Sequence, residues 1–439
     1  MRKLFKIFSI VVLAVSLVIS LTCVTCLAQK IHVPKGESKN MKLVGYHDMN
    51  GRGGSFKMAL QKIGDKWYLY AAHLWHSGWT ILDVTNPSDP KFVNWIQGPD
   101  NTGCYQVQVA DDLAILGFDK KVWDGDPTKP YSVGIYIYDV KDPYNPKYLG
   151  YWSTGAERGV HKNFYVGGRY VHLAAADPGY RGSIYKILDI ANPTNPVEVG
   201  RWALPGQEVG GTVSGSLHGY PFVRGNRAYL SYSAAGMIIL DISDVTAPKL
   251  VSQLPFVPPF GGGGCHTVYP LMNPINDRKF AWVNGEGTNE TPCLGAPSYS
   301  AMVDITDEKK PFLVSIMPVP FPPKNATFES YCAKGPRGRF GPHDAHHPMP
   351  GLPIYEERED IIYNTYFAGG LRVFDITNPH HPFEIAHYVP PNPTVRYGSL
   401  PADLITSSEI VIADSRGNIY FTDKNWGVHI VRLTGPYRP

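Results

Sequence analysis

Beyond residue 27 no hydrophobic run approaches the length that crosses a bilayer, so the body of the chain is expected to lack membrane spans. Neither sign of charge is in excess: 41 Lys and Arg face 38 Asp and Glu, a net charge of +3. No basic stripe interleaved with aromatics is present, which argues against a nucleic-acid partner. There is no H-E-x-x-H, no G-x-S-x-G, no P-loop and no dinucleotide fingerprint. Helix-periodic stretches are missing, and beyond the N-terminal leader there is no C-x-x-C. These absences leave a β-rich body whose chemistry, if any, is assembled from distant residues.

The leader itself is explicit. Arg2, Lys3 and Lys6 precede an uncharged apolar stretch from Ile7 to Leu27, and Cys26-Leu27-Ala28 reads as a small-residue cleavage site. We expect a signal peptide over residues 1–28, a linker over 29–40 and one domain over 41–439, secreted or periplasmic. An uncleaved membrane anchor is the alternative. The body then holds Cys104, Cys265, Cys293 and Cys332, an even number that permits disulfides without assigning them.

What is abundant is turn and strand chemistry: 44 Gly, 39 Pro, 27 Tyr and 9 Trp. Six times an alternating apolar strand ends in Asp and runs into a turn: WTILDVTNP, IYIYDVKDP, IYKILDIANP, MIILDISDV, AMVDITDE and LRVFDITNP, with Asp83, Asp139, Asp189, Asp241, Asp304 and Asp375. A seventh copy, VHIVRL at Val428–Leu433, lacks the turn. Units recurring at roughly fifty to seventy residues, each too small to bury its own faces, mean a repeat array. Around Asp189 the unit reads as four antiparallel strands, so the expectation is an all-β, seven-bladed β-propeller. The seventh copy has no fourth strand. Met41–Tyr46, MKLVGY, matches the fourth strand KYLGY at Lys147–Tyr151, so an N-terminal strand is expected to close the ring in the last blade and cover its edge. The Asp residues are expected to cap turns. Long insertions fall at Gly285–Ser298 and Pro318–Glu359.

The first strand of each propeller blade lines the central channel. Aligned on it, the opening residues are His47, His161, His218, His266 and His343, with Cys104 in the second blade and Glu409 or its neighbours in the seventh. Converging imidazoles suit a divalent transition metal such as iron, copper or zinc better than calcium or magnesium. Asp48 and Asp344 each follow one of these His and either accept a hydrogen bond from its ring or sit as exposed turn carboxylates. His346 and His347 follow His343 and could add a ligand, with one of the two at the surface. Lys162, Glu286 and Arg339 are candidates to move a proton or hold an anionic substrate. His73 and His76 are placed on the rim.

At these residues the chain resembles the LVIVD-repeat family, exported seven-bladed propeller proteins; ILDVTNP, IYDVKDP and FDITNP stand close to its repeat. The likeness extends over HDMNGR, VHK, LHGY, CHTVYP, RFGPH and SRGNIYFTD, and supports the five-His set. It also implies a disulfide between Cys293 and Cys332. The expected function is a metal-dependent enzyme, an oxidoreductase ahead of a hydrolase or lyase, acting on a small organic molecule. The alternative is a non-catalytic propeller that binds an envelope component.

Overall fold

The computed structural model describes residues 35–121, 125–213, 215–256, 264–287, 298–324, 326–327, 339–399, 401 and 403–437. Twenty-eight strands form seven four-stranded antiparallel sheets, the blades of a β-propeller. Blade 1 runs from Ser55 to Gln97, blade 2 from Thr102 to Ser153, blade 3 from Val160 to Trp202, blade 4 from Phe222 to Leu254 and blade 5 from Cys265 to Ile316. In blade 3 the hairpin after the inner strand turns on Gly167 and Gly168, both at positive φ, where a side chain would be strained. No helix among the described residues is long and apolar enough to cross a membrane.

Because each sheet is sandwiched between two others, the middle strands are apolar on both faces and the core is divided into layers. Tyr70, Trp79 and Ile81 of blade 1 pack on Val107 and Leu116 of blade 2. Ile135 and Ile137 of blade 2 pack on Val171 and Leu173 of blade 3. Tyr185 and Ile187 of blade 3 meet Leu230 and Ile238 of blade 4. The alternation visible in the sequence therefore separates two neighbours rather than core from solvent.

Closure follows the expected route. Met41–His47 is the outer strand of blade 7, paired antiparallel to Gly427–Leu433 from Met41↔Leu433 to His47↔Val428. Glu37–Lys39, inside the expected linker, adds to the outer edge of blade 6 against Phe383–Val389. The N-terminal segment thus covers the edges of two successive blades. The inner position of blade 6 is held by single bridges, Phe340↔Phe367 and Ala345↔Asn364. Residues 1–34, which include the expected leader, lie outside the described residues, as do Cys293 and Cys332.

The repeated Asp residues cap turns as expected. Each Oδ1 accepts the backbone N–H two residues on, 2.9 Å from Thr85, Lys141, Ala191, Ser243, Thr306 and Thr377. The turn that follows latches onto the preceding blade. The strand after each of these turns, and Met41–His47 in blade 7, bulges at an apolar residue, and in every blade but the sixth the residue after the bulge meets the next blade's turn. Ser252 Oγ donates to the Glu308 carbonyl at 2.5 Å, Ser315 Oγ to that of Pro379 at 2.6 Å, and Asn94 Nδ2 to that of Tyr144 at 3.1 Å. At Gly45, Gly150 and Gly200 the backbones touch directly: an added Cβ would overlap the carbonyls of Pro87, Pro193 and Val245. Gly45 carries this latch across the closure. Gly200→Val is expected to force blades 3 and 4 apart and cost about 2 kcal/mol, the usual scale of overpacking. A urea midpoint unchanged from the parent would show the latch to be slack.

Candidate functional site

Inner strands of five blades carry a second bulge, which turns residues out of the ladder at the channel. The register skips Tyr105 between Cys104 and Gln106, His161 between Val160 and Lys162, and His266 between Cys265 and Thr267. Blade 1 skips Phe56 and Lys57, and blade 7 skips Glu409 and Ile410. His218 and His343 fill the same level in blades 4 and 6. A bulge turns its extra residue out of the ladder, and here Phe56, Tyr105, His161 and His266 join His218 and His343 in a ring at one mouth. Centroids are 5.8 Å apart for Phe56–Tyr105, 5.5 Å for Tyr105–His161, 4.6 Å for His161–His218, 4.9 Å for His218–His266, 4.6 Å for His266–His343 and 5.9 Å for His343–Phe56.

Four of the five expected histidines therefore come together, and His47 does not. It ends the outer strand of blade 7, where its Nδ1 accepts the Met49 N–H at 2.9 Å. The strand that closes the ring cannot also line the channel, and inner-strand pairing in blade 1 starts only at Ser55. Cys104 is likewise off the axis: its thiol is buried between blades, and Tyr105 takes the expected position. Cys104 and Cys265 are both buried free thiols.

Hydrogen bonds set which nitrogen each buried imidazole presents. His343 Nδ1 lies 2.6 Å from the Glu409 backbone carbonyl, which only accepts, so Nδ1 carries the proton and Nε2 the lone pair. The Thr267 hydroxyl gives its proton to the His343 carbonyl at 3.1 Å and accepts from His266 Nδ1 at 2.9 Å. That leaves His266 Nε2 as a buried lone pair with no protein partner among the described residues. Burial pushes His161 and His266 well below the usual imidazole range, reinforced by His218 at the first and His343 at the second. Burial also lowers His343, against the pull of Glu409. Neutral rings with inward lone pairs are what metal ligation requires.

Glu286 and Arg339, from the two long insertions, complete the mouth. Arg339 Nη1 donates to Glu286 Oε1 at 2.6 Å, and Glu286 Oε2 stands 3.4 Å from His218 Nε2. Burial opposes ionisation of Glu286, yet His218, His266 and Arg339 hold its carboxyl well below the carboxylate range. One donor atom each from His218, His266 and Glu286 lies within 4.8 Å of the others. Lys424, which the sequence reading missed, pairs with Glu409 at 2.6 Å; it follows the FTD segment but reaches the mouth from the second strand of blade 7. Between blades 3 and 4 a cleft of about 400 Å³ leads to His161 and His218, lined also by Arg158, Asp177 and Ser216.

The remaining candidates fall elsewhere. Asp48 sits beside His47, away from the ring, with its Oδ1 accepting the Asn50 N–H. Asp344 touches no imidazole: it accepts from the Tyr220 hydroxyl at 2.9 Å and the Ala345 N–H at 2.8 Å, below the ring. His346 spends both nitrogens on backbone, the Glu356 carbonyl and the Ala413 N–H. His347 is buried too, edge-on to Phe222, so neither of the pair is at the surface. His73 is fully buried against Thr80 rather than on the rim. Lys162 is on the axis, its Nζ 4.8 Å from the ring centroids of both Phe56 and Tyr220, side chains of blade 1 and of the segment leading into blade 4.

Fold and mouth define a seven-bladed β-propeller with an imidazole-lined channel. The LVIVD repeat family matches residues 67–96, 166–203 and 222–254, which are strands two to four of blades 1 and 3 and the whole of blade 4. The chain thus carries LVIVD repeats in three regions of a seven-bladed propeller. No curated protein matches its sequence. Among solved structures it is similar to YCF48 bound to D1 peptide, at 7% identity over 92% of this chain and 98% of that one, with a TM-score of 0.52. It is also similar to the Pseudomonas aeruginosa periplasmic gluconolactonase PpgL, at 11% identity over 77% and 85% with a TM-score of 0.49. For Saccharomyces cerevisiae Sqt1 the values are 8%, 91%, 100% and 0.46. At these identities the likeness concerns the fold alone.

Proposed function

We propose that the channel mouth holds one divalent transition metal on His218, His266 and Glu286, and that the exported protein is a metal-dependent oxidoreductase acting on a small organic substrate. The observation that carries this reading is the three-donor group whose buried member, His266 Nε2, has no other protein partner among the described residues. Two donors on one ion at about 2 Å each stand at most about 4 Å apart, so ligation draws the side chains inward by under roughly 1 Å. Two imidazoles and one carboxylate with open positions suit catalytic iron(II) or zinc, and the oxidoreductase reading selects iron(II) of the two. His161 and His343 flank the pair, and the cleft between blades 3 and 4 gives a substrate access to the same face. Arg339 fixes Oε1 of Glu286, leaving Oε2 for the ion.

The test is elemental analysis of protein purified without a His tag and loaded with iron(II) under argon. The parent is expected to hold one iron per chain. His266→Ala and Glu286→Gln should bind it at least roughly tenfold to hundredfold more weakly, with the β-sheet circular dichroism retained. His76→Ala, a blade 1 residue outside the three-donor group, should match the parent. Equal iron in all variants, or none in the parent, removes the metalloenzyme reading and leaves a binding propeller.

A further inference from the structure

Below the imidazole ring the channel carries polar groups that the metal donors do not use. Lys162 and Gln106 hold equivalent places in neighbouring inner strands, each the first paired residue after the bulge. Both are 0% exposed. Lys162 Nζ, Gln106 Nε2 and Gln106 Oε1 have no hydrogen-bond partner among the described residues, nor has Gln108 Nε2 one turn of the pleat further down. A buried donor without a partner loses its hydration for nothing in return, so such groups mark a ligand or ordered water.

The charges at this level do not balance. Lys57 is also buried, its Nζ 4.2 Å over the Tyr220 ring that Lys162 faces from 4.8 Å. The carboxylate nearest the two lysines in this layer, Asp344, is engaged by Tyr220 and the Ala345 N–H. Glu286 and Glu409 above are engaged by Arg339 and Lys424. Two buried lysines thus face one carboxylate; burial lowers the pKa of both, Lys57 to about 8, and an anion bound beside them would favour their charged forms.

We propose that this part of the channel binds a small oxyanion, a carboxylate group of the size of formate, on Lys162 Nζ and the Gln106 side-chain amide. Both are donors, and a carboxylate offers two acceptor oxygens to match them. In an organic acid the same contacts would seat the carboxylate beneath the ring and its carbon chain toward the mouth. None of these groups is a metal donor, so the site stands whether or not the metal reading does.

The probe is sodium formate titrated calorimetrically into full-length, chelator-treated protein, against sodium chloride at equal ionic strength. The parent is expected to give a saturable heat specific to formate. Lys162→Met should weaken binding by about tenfold to hundredfold, the value of one charged hydrogen bond, while exposed Lys42→Met leaves it unchanged. Gln106→Glu supplies a resident carboxylate to Lys162, so it should melt above the parent and no longer take formate. No saturable binding by the parent overturns the proposal, as does undiminished binding by Lys162→Met. If Lys162→Met does not fold, undiminished binding by Gln106→Glu overturns it equally.

Discussion

Deletion of Met41–His47 is expected to yield protein that aggregates or melts far below the parent, with a broadened transition. The strand contributes six register pairs to blade 7 and places Met41 in the apolar layer between blades 6 and 7. It also carries Gly45, whose backbone latches blade 7 to the Pro87 turn of blade 1. Without it the Gly427–Leu433 edge is open for pairing with another chain, and the seam between the first and last blades loses the strand that ties them together. A net worth of about 1 kcal/mol per backbone hydrogen bond already puts the loss at several kcal/mol, on a total of about 5–15. The neighbouring Glu37–Lys39 strand would be detached from its anchor as well. Differential scanning calorimetry checks this: a soluble deletion variant melting within a few degrees of the parent would show that closure does not depend on the strand.

Acid should unfold the protein near pH 5, well above the range where carboxylates alone act. Burial depresses His73, His172 and His429 to about 3 and His346 to about 4. A histidine lowered in the folded state is protonated first in the unfolded chain. The stability it confers is complete above the unfolded value of about 6.5 and falls as pH drops toward the folded value. At pH 5 each of the four has given up about 2 kcal/mol, about 8 in all, against a whole stability of about 5–15. Asp423, raised to about 7 by burial, works in the opposite direction and offsets about one of them. Asp177 and Glu384, held low by their cationic partners despite burial, add their losses only below about pH 4. His429 isolates the effect, because both its nitrogens lack partners among the described residues and its ring stacks on Phe421 at 5.1 Å. His429→Phe is expected to be about 2 kcal/mol more stable than the parent at pH 5, relative to their difference at pH 8. Parallel stability–pH curves for the two proteins would contradict this assignment.

The sequence disclosed the repeat because the same local chemistry recurs: each Asp caps its own turn within two residues, and such contacts need no knowledge of the ring. Closure was legible because MKLVGY and KYLGY share the glycine that meets the next blade's turn. The site was half legible. His161, His218, His266 and His343 open inner strands, so one alignment collects them. His47 follows the closing strand and was drawn in by its place before the first blade, although an outer strand cannot line a channel. Cys104 was one residue out because a bulge shifts which side chain leaves the ladder, and a shift of one residue reverses the faces of a strand. Lys57, Gln106 and Lys424 carried no local signal, since each acquires its role from side chains of other strands across the channel.

The most direct measurement is an anomalous difference map at the iron edge from crystals of the iron-loaded, untagged protein. The account predicts a single strong peak about 2 Å from ring nitrogens of His218 and His266 and from a Glu286 oxygen. A fully loaded crystal whose iron peak lies elsewhere, or a mouth that shows no anomalous density, would contradict it.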